Sequence, residues 1–423
     1  MLFRSGSYLA ANGYSAYHVS TNGLIATNGF VVYPYRWNDS SSADQYLGPS
    51  LVVRQPDDKI MVAGNFKVYY TNATTFTNAS RIARLNPNGT LDASFNVGVG
   101  PLNTIDGTNY TKIECVIPLA NGQYLVAGTF SKFNGLPITN LVRLNNDGSL
   151  DNTFPRHSFR NAGSGSGTIA VHSIALQADG KLLLGGVFDV MDGVTNRDLT
   201  RLTTNGTVDA TFVQTSLAGT QGFGDQVNTL LVLPDGKILA AGAGQYALVN
   251  RAARFNADGS RDLTWVGILP SEVYCVTLTA SNKLIFGCNS YVRRTTYDGT
   301  NDANFGSSAT STFFSGQFTY AIAPEPSGNV MLGGSYGMRR LLLEPVFVVP
   351  TFSSGAGASV VGGQFQISAC GGVDGQNVVV QASTDLVNWS NVSTNVVAGG
   401  CISYTDPQTP PPPSRYYRLT VQP

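Results

Sequence analysis

Several residue sets in this chain have types and spacings that could do chemistry. Two loops, Asn256-Ala-Asp258-Gly-Ser-Arg-Asp262 and Asn145-Asn-Asp147-Gly-Ser-Leu-Asp151, set oxygen donors at alternating positions around a glycine, as a calcium ion requires. The equivalent stretch from Thr203 to Asp209 keeps one carboxylate, and no copy has the terminal bidentate Glu of an EF-hand. Turn chemistry therefore accounts for these loops, and calcium stays the lesser expectation. The three histidines, His18, His157 and His172, lack metal-ligand spacing, and no other cofactor or metal residue is assigned. No G-x-S-x-G elbow, phosphate loop or dinucleotide fingerprint occurs, so no catalytic residue is assigned and an enzyme is not expected. A polysaccharide hydrolase or lyase is kept as the third reading, because its carboxylate pair is chosen by distance, not by sequence.

The five cysteines add one constraint. Cys370 and Cys401 bracket the middle of the C-terminal segment and are expected to form a disulfide, which fits an oxidising compartment. Cys275 and Cys288 lie symmetrically about Ser281-Asn282 and are a second candidate pair across a hairpin. Cys115 has no partner and is expected as a buried free thiol. No CxxC pair offers a thiolate metal site.

The elements that must position these residues are written repeatedly. A polar turn, Lys or a substitute, an apolar strand, Gly, then Arg, a second turn, Asp and an aromatic recur in one order. Clear copies are PDGKILAAG followed by RFNADGSRDLTW, and QADGKLLLGG followed by RLTTNGTVDATF. The first turn ends at Gly23, Asp58, Gly122, Gly180, Gly236, Asn282 and Gly328; six residues on stand Gly29, Gly64, Gly128, Gly186, Gly242, Cys288 and Gly334. Each Arg is followed eight residues later by Asp: Arg36 and Asp44, Arg84 and Asp92, Arg143 and Asp151, Arg201 and Asp209, Arg254 and Asp262, Arg294 and Asp302. Three residues past each Asp come Leu47, Phe95, Phe154, Phe212, Trp265 and Phe305. A seventh copy keeps Arg340 but has Val348 where Asp is due.

One such unit cannot bury its own apolar face, so it must stack on its neighbours. The short β-branched stretches read as strands, and a ring of them leaves no long exposed sheet edge. The expected fold is all-β: a β-propeller, most simply of seven blades, over residues 1–344, then a small β-sandwich of the immunoglobulin or fibronectin sort over 345–423. Because the last copy lacks its Asp–aromatic element, the N-terminal stretch MLFRSGSYLA is expected to supply an outer strand that closes the ring within the molecule. Strand addition to a neighbouring molecule is the alternative.

The repeated columns read as structural. Gly at the turn tolerates positive φ, and the second Gly column is expected to permit close backbone approach between blades. Each Arg–Asp couple is expected as a buried pair within its blade, with the aromatic as a core plug. The copies differ in the loop between the second Gly and the Arg, which is long in copies two to five. Equivalent loops of a repeat fold share one face, so these should build a rim. Tyr69, Tyr70 and Tyr110 are its candidate ligand residues.

The pattern D-G-K-[IL]-x-x-x-G with R-[LF]-[NT]-x-[DN]-G-[ST]-x-D-x-[ST]-[FW] resembles the delta-60 repeat, a bacterial β-propeller family of unassigned function, over roughly residues 15–344. The resemblance implies a secreted or surface-attached protein and brings no catalytic residues. STDLVNWS, YTDP and RYYRL resemble a C-terminal module of secreted proteins of Verrucomicrobia-type bacteria, with Trp389 and Tyr417 as core or inter-sheet residues.

Composition fits an extracellular or cell-surface bacterial protein. Only 12% of residues are charged, with 26 basic and 26 acidic. This balance gives no steering toward nucleic acid and little repulsion between copies. No stretch is long and apolar enough for a membrane span, and the N-terminus has no signal-peptide core, so a leader would have been removed or lie outside this sequence. The leading expectation is a structural or adhesive protein that self-associates or meets another surface protein. A carbohydrate-binding propeller comes second.

Overall fold

The structure is a computed structural model. It describes residues 2–4, 7–11, 16–20, 31–32, 49–64, 66, 68–70, 76–78, 80–103, 111–161, 168–195, 198–213, 226–243, 251–269, 271–302, 305, 316–324, 329–341, 358–361, 364–370, 374–385, 387–407 and 415–421. The chain divides into two compact units, Met1–Leu341 and Leu342–Pro423.

The first unit is built from strands alone among the described residues. Strands β1 (Leu2–Arg4), β2 (Ser7–Ala11), β3 (Ala16–Ser20) and β4 (Val31–Val32) form one sheet in that order. Next come β5 (Pro49–Arg54), β6 (Ile60–Gly64), β7 (Val68–Tyr70), β8 (Phe76–Asn78) and β9 (Ile82–Leu85). They are followed by β10 (Pro101–Leu102), β11 (Lys112–Pro118), β12 (Tyr124–Thr129), β13 (Lys132–Phe133) and β14 (Leu141–Leu144). The next copy contributes β15 (Phe159–Arg160), β16 (Ala170–Leu176), β17 (Leu182–Val187), β18 (Val190–Met191), β19 (Val194–Thr195) and β20 (Leu199–Leu202). Simpler copies follow: β21 (Gln226–Val232), β22 (Ile238–Ala243) and β23 (Ala252–Phe255); β24 (Val273–Leu278), β25 (Leu284–Cys288) and β26 (Val292–Thr295); and β27 (Thr319–Pro324), β28 (Val330–Gly334) and β29 (Gly337–Leu341).

Six antiparallel three-stranded sheets result: β5-β6-β9, β11-β12-β14, β16-β17-β20, β21-β22-β23, β24-β25-β26 and β27-β28-β29. Their first strands follow one another side by side, from β5 through β11, β16, β21 and β24 to β27. Each central strand is covered on both faces, which is why it reads as an unbroken apolar run. In β12, Tyr124 and Val126 enter one core cluster, while Leu125 and Ala127 enter the next. Alternate side chains of one strand thus join two neighbouring blades, as stacking of repeats requires. The first turn holds a left-handed residue in every described copy: Gly122, Gly180 and Gly236 at φ of 82–84°, and Asp58 and Asn282 at 65° and 58° where Gly is absent.

Close approach between blades, the expectation for the second Gly column, is replaced by close approach within a blade. A Cβ on Gly128 would stand 2.1 Å from the Lys112 carbonyl oxygen, and on Gly186 and Gly334 it would stand 2.0 Å from those of Ala170 and Phe318. The cause is a β-bulge. The register of the first two strands shifts between Pro49 and Leu51, Ile113 and Cys115, Val171 and Ser173, Val227 and Thr229, Val273 and Cys275, and Thr319 and Ala321. The bulge drives a carbonyl toward the facing residue, which is glycine in five of these six copies and Cys288 in the other.

Two further expectations are corrected. Among the described residues the N-terminal stretch does not complete the last blade: β1 pairs with β2 (Leu2 opposite Leu9), and the last sheet has three strands. A local hairpin closes a far shorter loop than pairing with β29 would. Strand β1 nonetheless lies against both β5 and β27. Cys275 and Cys288 are free thiols, not a disulfide. The hairpin pairs Leu278 with Leu284, which sets Cys275 opposite Gly287, and the bulge then brings Cys288 opposite Val273. A one-residue offset puts the two sulfurs on opposite faces: Cys288 lies in the core shared with β22, and Cys275 Sγ donates to the Thr319 carbonyl on the other side. The markers of the first copy, Gly23, Gly29, Arg36, Asp44 and Leu47, lie outside the described residues.

The second unit contains β30 (Ala358–Val361), β31 (Gln364–Cys370), β32 (Asn377–Ser383), β33 (Ser390–Val396), β34 (Cys401–Thr405) and β35 (Tyr416–Val421). They form two three-stranded sheets, β30-β31-β34 and β33-β32-β35, that share one core of Ile367, Ala369, Val378, Val380, Ile402 and Tyr404. Cys370 and Cys401 stand opposite each other on β31 and β34 and are joined by a disulfide. Tyr417 packs against this core, stacked on Phe365, and its hydroxyl donates to the buried Asp406 carboxylate. Trp389 lies outside the core, half-buried beneath the Arg418 guanidinium at 4.4 Å.

Candidate functional site

Each blade has a lower end, where both turns lie, and an upper end, where the bulge and the long loops lie. The repeated Arg, Asp and aromatic columns gather at the lower end. Arg Nε meets Asp Oδ2 at 2.7 Å for Arg84–Asp92, Arg143–Asp151 and Arg254–Asp262, at 2.9 Å for Arg201–Asp209 and at 2.8 Å for Arg294–Asp302. The Lys after the first turn joins the same oxygen: Lys59 at 2.8 Å, Lys181 at 3.1 Å, Lys237 at 3.0 Å and Lys283 at 2.7 Å. Gln123 stands in for Lys in the second described blade and donates to Asp151 at 2.8 Å. The other carboxylate oxygen accepts from the backbone and hydroxyl of Ser94, Thr153, Thr211 or Thr264.

The Arg also bridges blades. Its guanidinium lies 4.7–5.3 Å from the centre of its own aromatic ring in Phe95, Phe154, Phe212, Trp265 and Phe305. Its Nη1 donates to a carbonyl in the next blade's second turn: Arg84 to Asn146, Arg201 to Ala257, Arg254 to Tyr297. The second-turn glycine sits on the previous aromatic, so that a Cβ on Gly206 would stand 2.4 Å from Phe154. Burial alone would raise these carboxyl pKa values, but the donors outweigh it: Asp151 is held down to about 2, and Asp92, Asp209 and Asp262 lie lower still. Such fully engaged groups seal the lower end. The calcium-like loops belong to it as well. Asp147 and Asp258 spend Oδ1 on the backbone and hydroxyl of Ser149 and Ser260, as ordinary side-chain turns.

The upper end carries a column that the repeat comparison passed over. Eight residues before each first-turn marker stands the bulged residue of the inner strand: Ser50, Glu114, His172, Asn228, Tyr274 and Tyr320. All six are polar, and they differ from copy to copy. A bulge re-aims its side chain, and several of these reach the following inner strand. Glu114 stands 2.8 Å from Lys112 Nζ and 3.7 Å from His172 Nδ1. Asn228 Nδ2 donates to the Val273 carbonyl at 2.9 Å and to Glu272 Oε1 at 3.1 Å, where Gln226 Nε2 also donates at 3.2 Å. The Tyr274 hydroxyl donates to Glu272 Oε2 at 2.8 Å. The Tyr274 ring meets Phe318 and Tyr320 edge-on at 5.8 and 5.2 Å, and those two are stacked at 5.9 Å.

Electrostatics tie these groups into one set. Burial would raise the Glu114 pKa, but His172 and Lys112 hold it below the usual carboxylate range. Burial raises the Tyr274 phenol, reinforced by its bond to Glu272. Burial also raises Tyr320, opposed by the charge of Lys112 and reinforced by that of Glu272. Tyr320 is 54% exposed, an unusual state for a large aromatic amid such partners. The arrangement can stack a ring face on tyrosine and bond hydroxyls at a carboxylate.

The sequence-based ligand residues fare differently. Tyr69 and Tyr70 lie on β7, paired with Thr77 and Phe76 of β8, and their side chains are outside the description, as is all of Tyr110. Strands β7 and β8 stand at the upper end, on the same face as the bulged column. His157 is buried, with Nδ1 2.8 Å from Asp192 Oδ2, while Asp192 Oδ1 accepts from the Ser158 backbone. This pair clamps a connector to the next blade's loop. Cys115 is half-buried and free, its thiol pushed up to about 11 by burial.

Comparison with known proteins agrees with this geometry. A family model described as a β-propeller domain of unknown function, DUF5122, matches residues 55–95, 119–154, 177–212 and 233–264. Each matched segment runs through the turns of one blade and ends at or beside its aromatic, and the fold is that of a multi-bladed, propeller-like all-β protein. No curated protein sequence matches the chain. Among solved structures, the chain is similar to the extracellular domain assigned to a one-component system of B. thetaiotaomicron, at 12% identity and a TM-score of 0.49, covering 96% of this chain and 51% of that one. It is also similar to PorZ, a surface component of the type-IX secretion system of Porphyromonas gingivalis, at 9% identity and a TM-score of 0.48, covering 100% of this chain and 58% of that one. The chain thus spans about half the length of these structures.

Proposed function

We propose that this chain is a bacterial surface or extracellular module whose propeller binds a carbohydrate at the upper end of its inner strands. In this reading the N-terminal sheet is the seventh blade, set between β27 and β5. The second unit is an immunoglobulin- or fibronectin-like sandwich. The chain is a binder rather than an enzyme, and its contact with a glycan makes it adhesive. One observation carries the reading: the exposed Tyr320 stacked on Phe318, beside the donor-laden Glu272. Aromatic faces with carboxylate and amide arms are what a pyranose needs, since it has an apolar face and an edge of hydroxyls. The low charge and the Cys370–Cys401 disulfide support an exterior setting.

The test is a glycan array probed with the purified chain and with Tyr320→Ala. Saturable binding lost in the variant supports the reading; binding unaffected by Tyr320→Ala refutes the site. A second reading, self-association, is favoured by Leu263, Val266 and Ile268, which are exposed on one connector with Leu263 at 86%. Light scattering that shows only monomers would remove it.

A further inference from the structure

The upper end is unequal around its circumference. On one side β24 and β27, with the residue before β27, present Tyr274, Tyr320 and Phe318. On the other, β11 and β16 present Lys112, Glu114 and His172, a charge set already closed on itself: the ammonium is 2.8 Å from the carboxylate, and the imidazole stands on that carboxylate's other oxygen. Glu272 stands beside the aromatic group and accepts three hydrogen bonds, from Tyr274, Gln226 and Asn228. All three donors are neutral. An ionised carboxylate offers about four acceptor sites, so Glu272 has room for one more donor.

We propose that this mouth selects a neutral pyranose and excludes acidic sugars such as uronic acids. The sugar stacks on the Tyr320 ring and donates a hydroxyl to Glu272. The inference rests on the carbohydrate reading above and narrows its ligand class. A sugar hydroxyl can donate to Glu272, whereas a sugar carboxylate cannot. The acid would instead bring a second negative charge to a partly dry carboxylate. Lys112 is paired with Glu114 at 2.8 Å, and a uronate drawing it away would leave Glu114 charged, half-buried and short of its partner.

The test uses the full chain and two matched oligosaccharide pools, neutral gluco-oligosaccharides and oligogalacturonates of the same length, titrated calorimetrically. Wild type is expected to bind the neutral pool at least about tenfold more tightly. Glu272→Gln keeps the shape and removes the charge, so the ratio should fall toward one as the acidic pool gains. Tyr320→Ala should lose both pools. Equal or tighter binding of the acidic pool by wild type, with sensitivity to Tyr320→Ala, overturns this inference and leaves the carbohydrate reading standing. A ratio unchanged in Glu272→Gln, whose fold circular dichroism would verify, also overturns it. Failure of both pools and of a wider glycan array removes the carbohydrate reading, and this inference with it.

Discussion

The lower and upper ends of one blade are made by the same strands and treat variation in opposite ways. At the lower end five of the six described three-stranded copies repeat Arg, Asp and an aromatic, and four of those five repeat Lys. Arg84 alone bonds Asp92, Ser94, Tyr124 and Asn146, the last two in the next blade. At the upper end the bulge recurs in six copies while its residue changes from Ser to Glu, His, Asn and Tyr. Backbone geometry is held constant there, and chemistry is free to vary. Sameness between copies therefore marks what builds the repeat, and difference at a fixed geometric position marks what the molecule presents.

The largest expected effect breaks the lower end. Asp262→Ala leaves Arg254, 3% exposed, and Lys237 without their carboxylate. A loss of about 3–5 kcal/mol in stability is expected from urea unfolding. Replacing the pair together, Arg254→Met with Asp262→Leu, should recover much of it, because no charge is then stranded. Acid should do the same to all copies at once. The folded pKa values of Asp92, Asp151, Asp209 and Asp262 are depressed. Their contribution is present above the ordinary carboxylate pKa and is lost as pH falls through the folded values. Melting temperature should therefore hold from neutrality to about pH 4 and fall below it, through about 2 for Asp151.

Intermediate effects belong to the bulge itself. Gly128→Ala puts a methyl where the Lys112 carbonyl lies, so the bulge must shift, at about 1–3 kcal/mol by thermal melting. It should also displace Glu114 from Lys112 and His172. The smallest expected change in stability is that of Tyr320→Ala at the exposed upper end, within about 0.5 kcal/mol of wild type.

Much of the propeller was legible in the sequence, because a repeat can be aligned with itself. The Arg84–Asp92 spacing places two residues across one tight turn, and the bridge of Leu85 to Leu91 closes that turn in the structure. The Cys370–Cys401 pair is likewise a local property of two facing strands. What escaped has one physical cause. A bulge adds a residue to one strand without a mark in the composition. It moved Cys288 opposite Val273 and gave the second Gly column its purpose. It also hid Glu114, His172, Asn228, Tyr274 and Tyr320 in a column without a consensus. The eight-residue offset from the first turn was present in the chain all along, and only chemical variety obscured it. Glu272 and Phe318 became visible only through their contacts.

The claim that one end builds the repeat and the other end serves it is tested most directly by thermal melting of wild type and Tyr320→Ala across a titration with a neutral oligosaccharide. Without ligand, the two should melt at the same temperature. With ligand, wild type alone should rise, since only binding to the folded state shifts the midpoint. Equal rises in both proteins, or a clearly lower melting temperature for Tyr320→Ala without ligand, would contradict the account.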